Sequence, residues 1–162
     1  MGNVISEIVD RIGNTPDKLL EVLIQTQQKS KQNYVTESEL RTISKLLDVP
    51  FSKVYGVATF YSMLSVKKRG NYVIQICNSG PCYINGAGDL VSFIEELLDI
   101  KMGEITNDGV FSLEYTSCIG ACDKGPAIKI NDKVYGNLNK TKIVEIIDKL
   151  RKEVLMNDEF SI

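Results

Sequence analysis

Residues 72–82 read YVIQICNSGPC, an apolar run that ends in two cysteines separated by four residues. The run from Tyr72 to Ile76 is continuous and rich in β-branched residues, which is typical of a strand buried inside a sheet. The residues that separate Cys77 from Cys82 include Gly and Pro and predict a loop. We therefore expect a buried strand that delivers two thiols at its C-terminal end.

A second pair of cysteines follows a second predicted strand. Residues 111–116 alternate apolar and polar side chains, and Cys118 and Cys122 come directly afterwards in the sequence CIGAC. The apolar pattern of residues 90–98 predicts an amphipathic helix between the two strands. A strand-helix-strand connection makes its strands parallel and places their C-terminal ends at one edge of the sheet. We therefore expect all four cysteines to lie close together.

The rest of the C-terminal region completes an α/β pattern. Two short apolar runs flank Asn131-Asp132, a plausible hairpin turn, and Asn139 is predicted to cap a last helix. The predicted order of elements over residues 70–155 is βαββα. Residues 156–162 are expected to form a frayed tail.

Residues 1–66 are predicted to form a separate helical bundle. Apolar residues recur at helical spacing, and Thr36 and Glu39 belong to a capping box that opens one of four helices. The basic stretch at 67–70 ends in glycine and marks the domain boundary. Three aromatic side chains at helical spacing could form an electron path or a docking surface, but such residues are more often part of a core, so we expect them in the core of this bundle: Tyr55, Phe60 and Tyr61.

The composition indicates a globular protein that binds through local sites. Hydrophobic residues make up 43% and charged residues 25% of the 162-residue chain, and the formal net charge is -2. Such a charge does not attract polyanions, so we expect no nucleic-acid partner. No apolar stretch approaches the roughly 20 residues that span a bilayer, and no export signal is recognisable. We expect a cytoplasmic protein without direct membrane insertion.

The chain contains no histidine, which excludes histidine-ligated zinc, a Rieske centre and a Cys-His catalytic pair. Four thiols in one place can then form disulfides, a four-cysteine zinc site or a 2Fe-2S cluster. Disulfides are rare in the cytoplasm, and zinc sites usually use tighter C-x2-C spacings. The looser C-x4-C and C-x3-C spacings suit a two-iron cluster, which is wider than a single ion.

The arrangement of these motifs resembles a known family. The two cysteine pairs, together with VYGVATFYS at residues 54–62 and PAIKIND at residues 126–132, resemble the small thioredoxin-like 2Fe-2S subunit of bacterial complex I, the NADH:quinone oxidoreductase. The same type of subunit occurs in NAD-linked hydrogenases and formate dehydrogenases, including electron-bifurcating enzymes. The resemblance runs from about residue 15 to residue 152.

The resemblance implies a helical docking domain at residues 1–66 and a thioredoxin-like ferredoxin domain at residues 70–155. It also implies one-electron transfer through a 2Fe-2S cluster within an NADH-linked oxidoreductase complex. The expected partners are a flavoprotein that carries FMN, the NAD(H) site and its own iron-sulfur cluster, and further iron-sulfur subunits. The implied ligands of the cluster in this chain are Cys77, Cys82, Cys118 and Cys122.

The absence of a dinucleotide-binding motif indicates which cofactors belong to this chain and which to its partner. No G-x-G-x-x-G follows a predicted strand, so we expect FMN and NAD(H) only on the partner and no catalysis by this chain alone. Two alternatives remain open. One is a zinc-bound structural or adaptor module, and the other is a free-standing shuttle ferredoxin, for which the helical extension would have no role.

Overall fold

The computed structural model describes residues 2–159. The chain divides into two compact units, Met1–Arg69 and Gly70–Ile162, here called the helical unit and the cysteine unit. The tail expected to fray, residues 156–162, lies partly outside the described residues, and its backbone is helical up to Glu159. Among residues 2–159, no helix combines the length and the apolar character needed to cross a membrane.

The helical unit contains four α-helices around one apolar core. They are α1 (Gly2–Ile12), α2 (Leu19–Lys29), α3 (Glu37–Leu46) and α4 (Phe51–Phe60). The predicted capping box is confirmed, because the Thr36 hydroxyl accepts from the Glu39 N–H and the Glu39 carboxylate accepts from the Thr36 N–H. The fully buried core side chains include Val22, Leu23, Ile43, Leu47 and Val54.

The prediction that the aromatic residues of α4 lie in the core is wrong for two of them. Tyr55 is 46% exposed and Phe60 is 80% exposed, whereas Tyr61 packs partly against the core. The buried residues of α4 are Val54 and Ala58, which are four positions apart and define a narrow buried face. Tyr55 and Phe60 lie outside that face and point their rings away from the core.

The cysteine unit is a four-stranded sheet with helices packed against it. Its elements are β1 (Tyr72–Cys77), α5 (Gly80–Ile84), α6 (Ala87–Leu98), β2 (Phe111–Thr116), β3 (Ile128–Ile130), β4 (Lys133–Tyr135) and α7 (Lys140–Glu159). The strand order is β2-β1-β3-β4, with β1 and β2 parallel and β3 antiparallel to both β1 and β4. The predicted order βαββα is one strand short, because the hairpin contributes two strands, β3 and β4; the observed order is βαβββα, with the short helix α5 in addition.

The central strands and the two long helices share one core. Its fully or almost fully buried side chains include Ile74 and Ile76 of β1, Ile94 of α6, Leu113 of β2 and Ile143 of α7. Asn139 caps α7 as predicted, since its Oδ1 accepts from the Lys142 N–H at 2.9 Å. The hairpin turn is also confirmed, with Asn131 in the left-handed region at φ 51°.

Strand β2 departs from the predicted alternation of buried and exposed residues. Ser112 is only 2% exposed, whereas Tyr115 is 54% exposed. The segment before β2 folds back along the start of the strand, and Leu113 exchanges backbone hydrogen bonds with Gly103 and Glu104. This segment pairs with the edge of β2 beside Ser112 and ends before Tyr115, so the start of the strand gains a neighbour there.

Candidate functional site: two pairs of thiols at one edge of the sheet

The first pair of thiols lies inside the protein. Cys77 is the last residue of β1, and the short helix α5 begins three residues later and carries Cys82. Their side chains are 1% and 2% exposed. They pack with Ala87 of α6, and Ile119 from the second cysteine loop covers them. Residues of both loops therefore shield this pair from water.

The second pair of thiols lies at the surface. Cys118 and Cys122 follow β2, are both exposed, and have their Sγ atoms 3.6 Å apart. Gly120 between them has φ +76°, a backbone conformation that favours glycine because other residues are strained there. The loop then closes in a single 3-10 turn over Cys122–Lys124.

Hydrogen bonds cross from the second cysteine loop to the first. Burial raises the pKa of the Cys77 thiol, but hydrogen bonds from the N–H and the hydroxyl of Ser79, from Cys82 and from the N–H of Ile119 together hold that pKa below its ordinary value. Ile119 belongs to the second loop, so its N–H stabilises negative charge on a sulfur of the first. This environment favours a thiolate at Cys77.

The pKa values of Cys82 and Cys122 are also shifted, and the causes include thiols of both pairs. Burial and the neighbouring Cys77 raise the pKa of Cys82, while the N–H of Ala127 acts in the opposite direction. The pKa of Cys122 is raised by its hydrogen bond with Cys118 and by the charges of Cys118, Cys82 and Cys77. The raised pKa values of Cys82 and Cys122 mean that their thiolates form beside negative charge, which a bound cation or cationic cluster would offset.

The arrangement of the sulfur atoms is paired. Among residues 4–156, whose side chains the structure describes, no group of three or more Cys, Asp or Glu side chains lies close enough to hold one metal ion. Cys77 contacts Cys82, and Cys118 contacts Cys122 at 3.6 Å. Two sulfurs on one tetrahedral metal with bonds of about 2.3 Å are separated by about 3.8 Å. The 3.6 Å separation of Cys118 and Cys122 is close to this value, so that pair fits one metal ion, and the interacting Cys77 and Cys82 form a second pair.

The structure brings the four predicted cysteines to one edge of the sheet, and groups outside the cysteines support them. The donors to the two buried thiols include Ser79, Ile119 and Ala127. Ser79 and Ile119 lie within two residues of a cysteine in the sequence, and this nearness could have marked them as candidate donors. Nothing in the sequence marks Ala127, because the path of the chain after the last cysteine decides its position.

A parallel pair of strands with two thiol pairs at its C-terminal edge defines a small α/β protein with a four-thiol site. The sequence profile of the thioredoxin-like [2Fe-2S] ferredoxins matches residues 5–151. Since this match covers most of the 162 residues, the chain belongs to that family. The expected fold class, a helical bundle followed by a thioredoxin-like domain in an α/β protein, is confirmed.

Curated relatives are components of an oxidoreductase complex. The chain is 34% identical over 131 residues to an NADH-quinone oxidoreductase subunit of Rickettsia conorii, a match that covers 81% of this chain and 78% of the relative. It is 36% identical over 131 residues to the corresponding subunit of Rickettsia bellii, with the same coverage. These relatives confirm the resemblance described from the sequence.

A solved structure shares the fold. The crystal structure of an NAD+-reducing [NiFe]-hydrogenase in the air-oxidized state superposes with a TM-score of 0.75 at 22% identity. The match covers 89% of this chain but 24% of the hydrogenase chain, so this chain spans about a quarter of that protein's length. At this identity the likeness shows the fold alone.

Proposed function

We propose that Cys77, Cys82, Cys118 and Cys122 hold one [2Fe-2S] cluster and that this chain transfers single electrons within an NADH-linked oxidoreductase complex. The observation that carries the proposal is the division of the four thiols into two pairs at the ends of parallel strands. A four-cysteine zinc site needs all four sulfurs around one ion, whereas a two-iron cluster needs two sulfurs on each iron. Family membership supports the same choice.

The protein's own residues would then bind the cluster, shield it from water and tune its reduction potential. When bound, the cluster accepts and releases one electron at a time. Ala87 and Ile119 exclude water from the buried pair. The N–H groups of Ser79, Ile119 and Ala127 donate to the buried sulfurs, which offsets negative charge and raises the reduction potential. The exposed pair marks the side on which a redox partner can approach.

The proposed partner is a flavoprotein that carries FMN, the NAD(H) site and its own iron-sulfur cluster, with further iron-sulfur subunits beyond it. Support comes from the relatives, which are named as subunits of NADH-quinone oxidoreductase. The particular complex can be respiratory, hydrogenase or formate dehydrogenase, with or without electron bifurcation. Four free cysteines are typical of a reducing compartment, which supports work in the cytoplasm.

We assign the docking role to residues 1–66 and the cluster to residues 70–155. The boundary between the two compact units at Arg69 supports this division. No charged residue occurs from Val54 to Val66, yet Tyr55, Phe60 and Met63 in that stretch are 46%, 80% and 58% exposed. Exposed aromatic surface without charge is typical of the centre of a protein interface. A free-standing shuttle ferredoxin gives this surface no role.

Metal analysis of anaerobically purified chain tests the cluster assignment. We expect about two irons and two acid-labile sulfides per chain with visible absorbance. Cys118→Ala, which removes one exposed thiol, serves as the matched variant and should lose the absorbance. Stoichiometric zinc without colour in the wild type would instead support the zinc alternative.

A further inference from the structure

The loop that carries Cys122 is placed by its backbone and not by burial of its thiols. Cys118 and Cys122 are both exposed, so no surrounding side chains enclose their sulfur atoms. Their 3.6 Å separation must then come from the chain that connects and supports them. One support is local, since the Lys124 N–H donates to the Ala121 carbonyl at 3.0 Å and closes the turn around Cys122.

A second support comes from the segment that follows β4. The N–H of Asn137 donates to the carbonyl oxygen of Lys124 at 2.6 Å, which ties the end of the cysteine turn to this segment. The preceding residue is Gly136, and the two chains approach so closely that no side chain fits there. A Cβ atom at position 136 would lie 2.5 Å from the Cβ and 2.8 Å from the carbonyl oxygen of Lys124.

A third support lies on the other side of the same turn. A Cβ atom at Gly125 would lie 3.0 Å from the Nδ2 atom of Asn85. That Nδ2 donates to the carbonyl oxygen of Pro81 at 2.8 Å, within the helix α5 that carries Cys82. The turn after Cys122 is therefore held between the Gly136 segment and the helix of the buried thiol pair.

We propose that Gly136, assisted by Gly125, is a positioning residue that sets the place of Cys122 relative to Cys118. The inference rests on the proposed function in so far as it concerns the cluster. Neither glycine touches a thiol. Gly136 has no positive φ, so the requirement is for space and not for backbone conformation. A methyl group there must displace Lys124, and the turn that carries Cys122 moves with it.

The variant Gly136→Ala tests this proposal, and Gly70→Ala is its matched control. A Cβ atom at position 70 would lie 2.6 Å from the backbone nitrogen of Ser112, so this variant also overpacks the cysteine unit. Gly70 precedes β1, at the end of that strand opposite Cys77. The readouts are the EPR spectrum of the reduced full-length protein, the rate of iron loss to a chelator, and the urea midpoint of unfolding.

We expect both variants to lower the urea midpoint. Gly136→Ala should also change the EPR g values and release iron about 10-fold faster. Changes of this size are typical when a group that orients a metal ligand, without contacting the metal, is substituted. Gly70→Ala should keep the wild-type spectrum and release rate. Wild-type g values and iron release in Gly136→Ala, or equal changes in both variants, would overturn the proposal.

Two further measurements keep the test decisive. If Gly136→Ala does not fold, Gly125→Ala should show the same changes at smaller size, and unaltered spectra in that variant would overturn the proposal. Iron-free full-length protein is also treated with phenylarsine oxide, which needs two neighbouring thiols. Gly136→Ala should slow this reaction at the exposed pair, and Gly70→Ala should not.

The thiol reaction separates this inference from the proposed function. A wild-type protein that holds no iron, with a thiol reaction slowed only in Gly136→Ala, would refute the cluster and support the positioning role. A wild-type protein that holds iron, with both readouts unaltered in Gly136→Ala, would refute the positioning role alone.

Discussion

Cys77 and Thr116 are register partners on the two parallel strands β1 and β2. The ladder continues one step further, because the N–H of Asn78 donates to the carbonyl oxygen of Thr116 at 3.2 Å. The chain thus leaves both strands at the same level, and Cys118 follows two residues later. Strand pairing, which is fixed by the apolar core, therefore places one thiol pair beside the other before any metal binds.

The two thiol pairs should respond differently to substitution in the iron-free protein. Cys77→Ala removes a sulfur atom from a site that is 1% exposed and should lower the free energy of unfolding by about 1–2 kcal/mol through the cavity it leaves. Cys122→Ala at the exposed site should change it by less than about 0.5 kcal/mol. Urea denaturation measures the free energy of unfolding of both variants, and an equal loss in the two would contradict the difference in burial. Either variant should lose the cluster.

Ile119 should act as a cover for the buried thiols. Ile119→Ala keeps the N–H that donates to Cys77 but removes the side chain that packs on Cys77 and Cys82. We expect the cluster to bleach faster in air, because water and oxygen reach the buried pair more easily. Ile84→Ala, at a side chain that is 85% exposed, is the matched control and should bleach at the wild-type rate. A wild-type rate for Ile119→Ala would rule out the shielding role.

Asp108 should make stability depend on pH. Burial raises its pKa, but hydrogen bonds from the Thr106 hydroxyl and the Val110 N–H, with the Arg151 guanidinium 3.6 Å away, hold that pKa below its ordinary value. A lowered pKa in the folded state stabilises the protein above the ordinary pKa of about 3.9. That stabilisation is lost as the pH falls through the lowered value.

The variant Asp108→Asn should therefore be less stable than the wild type at neutral pH. Because the carboxylate is 45% exposed, solvent screening limits the difference to about 0.5–1 kcal/mol. Urea unfolding of the two proteins as a function of pH should show the difference at pH 7 and its disappearance in acid. A difference that persists at the acidic end would show that the charge of Asp108 is not responsible.

Phe60 should contribute to binding of the flavoprotein partner and little to folding. Its side chain is 80% exposed, so Phe60→Ala should leave the urea midpoint nearly unchanged, while a central aromatic residue of an interface typically contributes about 2 kcal/mol or more to binding. Leu155→Ala, at a side chain that is 63% exposed on α7, is the control and should bind normally. Equal affinity of both variants for the flavoprotein would refute the docking surface.

A fragment that begins at Lys68 should keep the visible spectrum of the cluster and lose most of its affinity for the flavoprotein.

The sequence predicts the topology of the cysteine unit because that topology depends on local patterns. The apolar run before Cys77, the helix between the strands and the turn at Asn131 each act over a few residues, and parallel pairing follows from their order. The exposure of Phe60 and the burial of Ser112 could not be predicted in the same way. They depend on which face of α4 and which part of β2 is covered by segments elsewhere in the chain.

The candidate site also combines features that local sequence patterns predict with features that depend on distant segments. Proximity of the four cysteines follows from the parallel strands, but the burial of one pair and the exposure of the other do not follow from spacing. Ile119 covers the buried pair only because the second loop folds back over the first. The close approach of Gly136 to Lys124 joins segments 12 residues apart, and glycine in a turn has many ordinary explanations.

A redox titration followed by EPR tests the central claim most directly, namely that the two thiol pairs together hold one [2Fe-2S] cluster that carries one electron. The protein purified without air should be EPR-silent when oxidised, and uptake of one electron should produce about one spin for every two irons. The four single cysteine-to-alanine variants should lose this signal. A protein that contains one zinc per chain, or one that takes up two electrons by reducing a disulfide without any spin, would contradict the account.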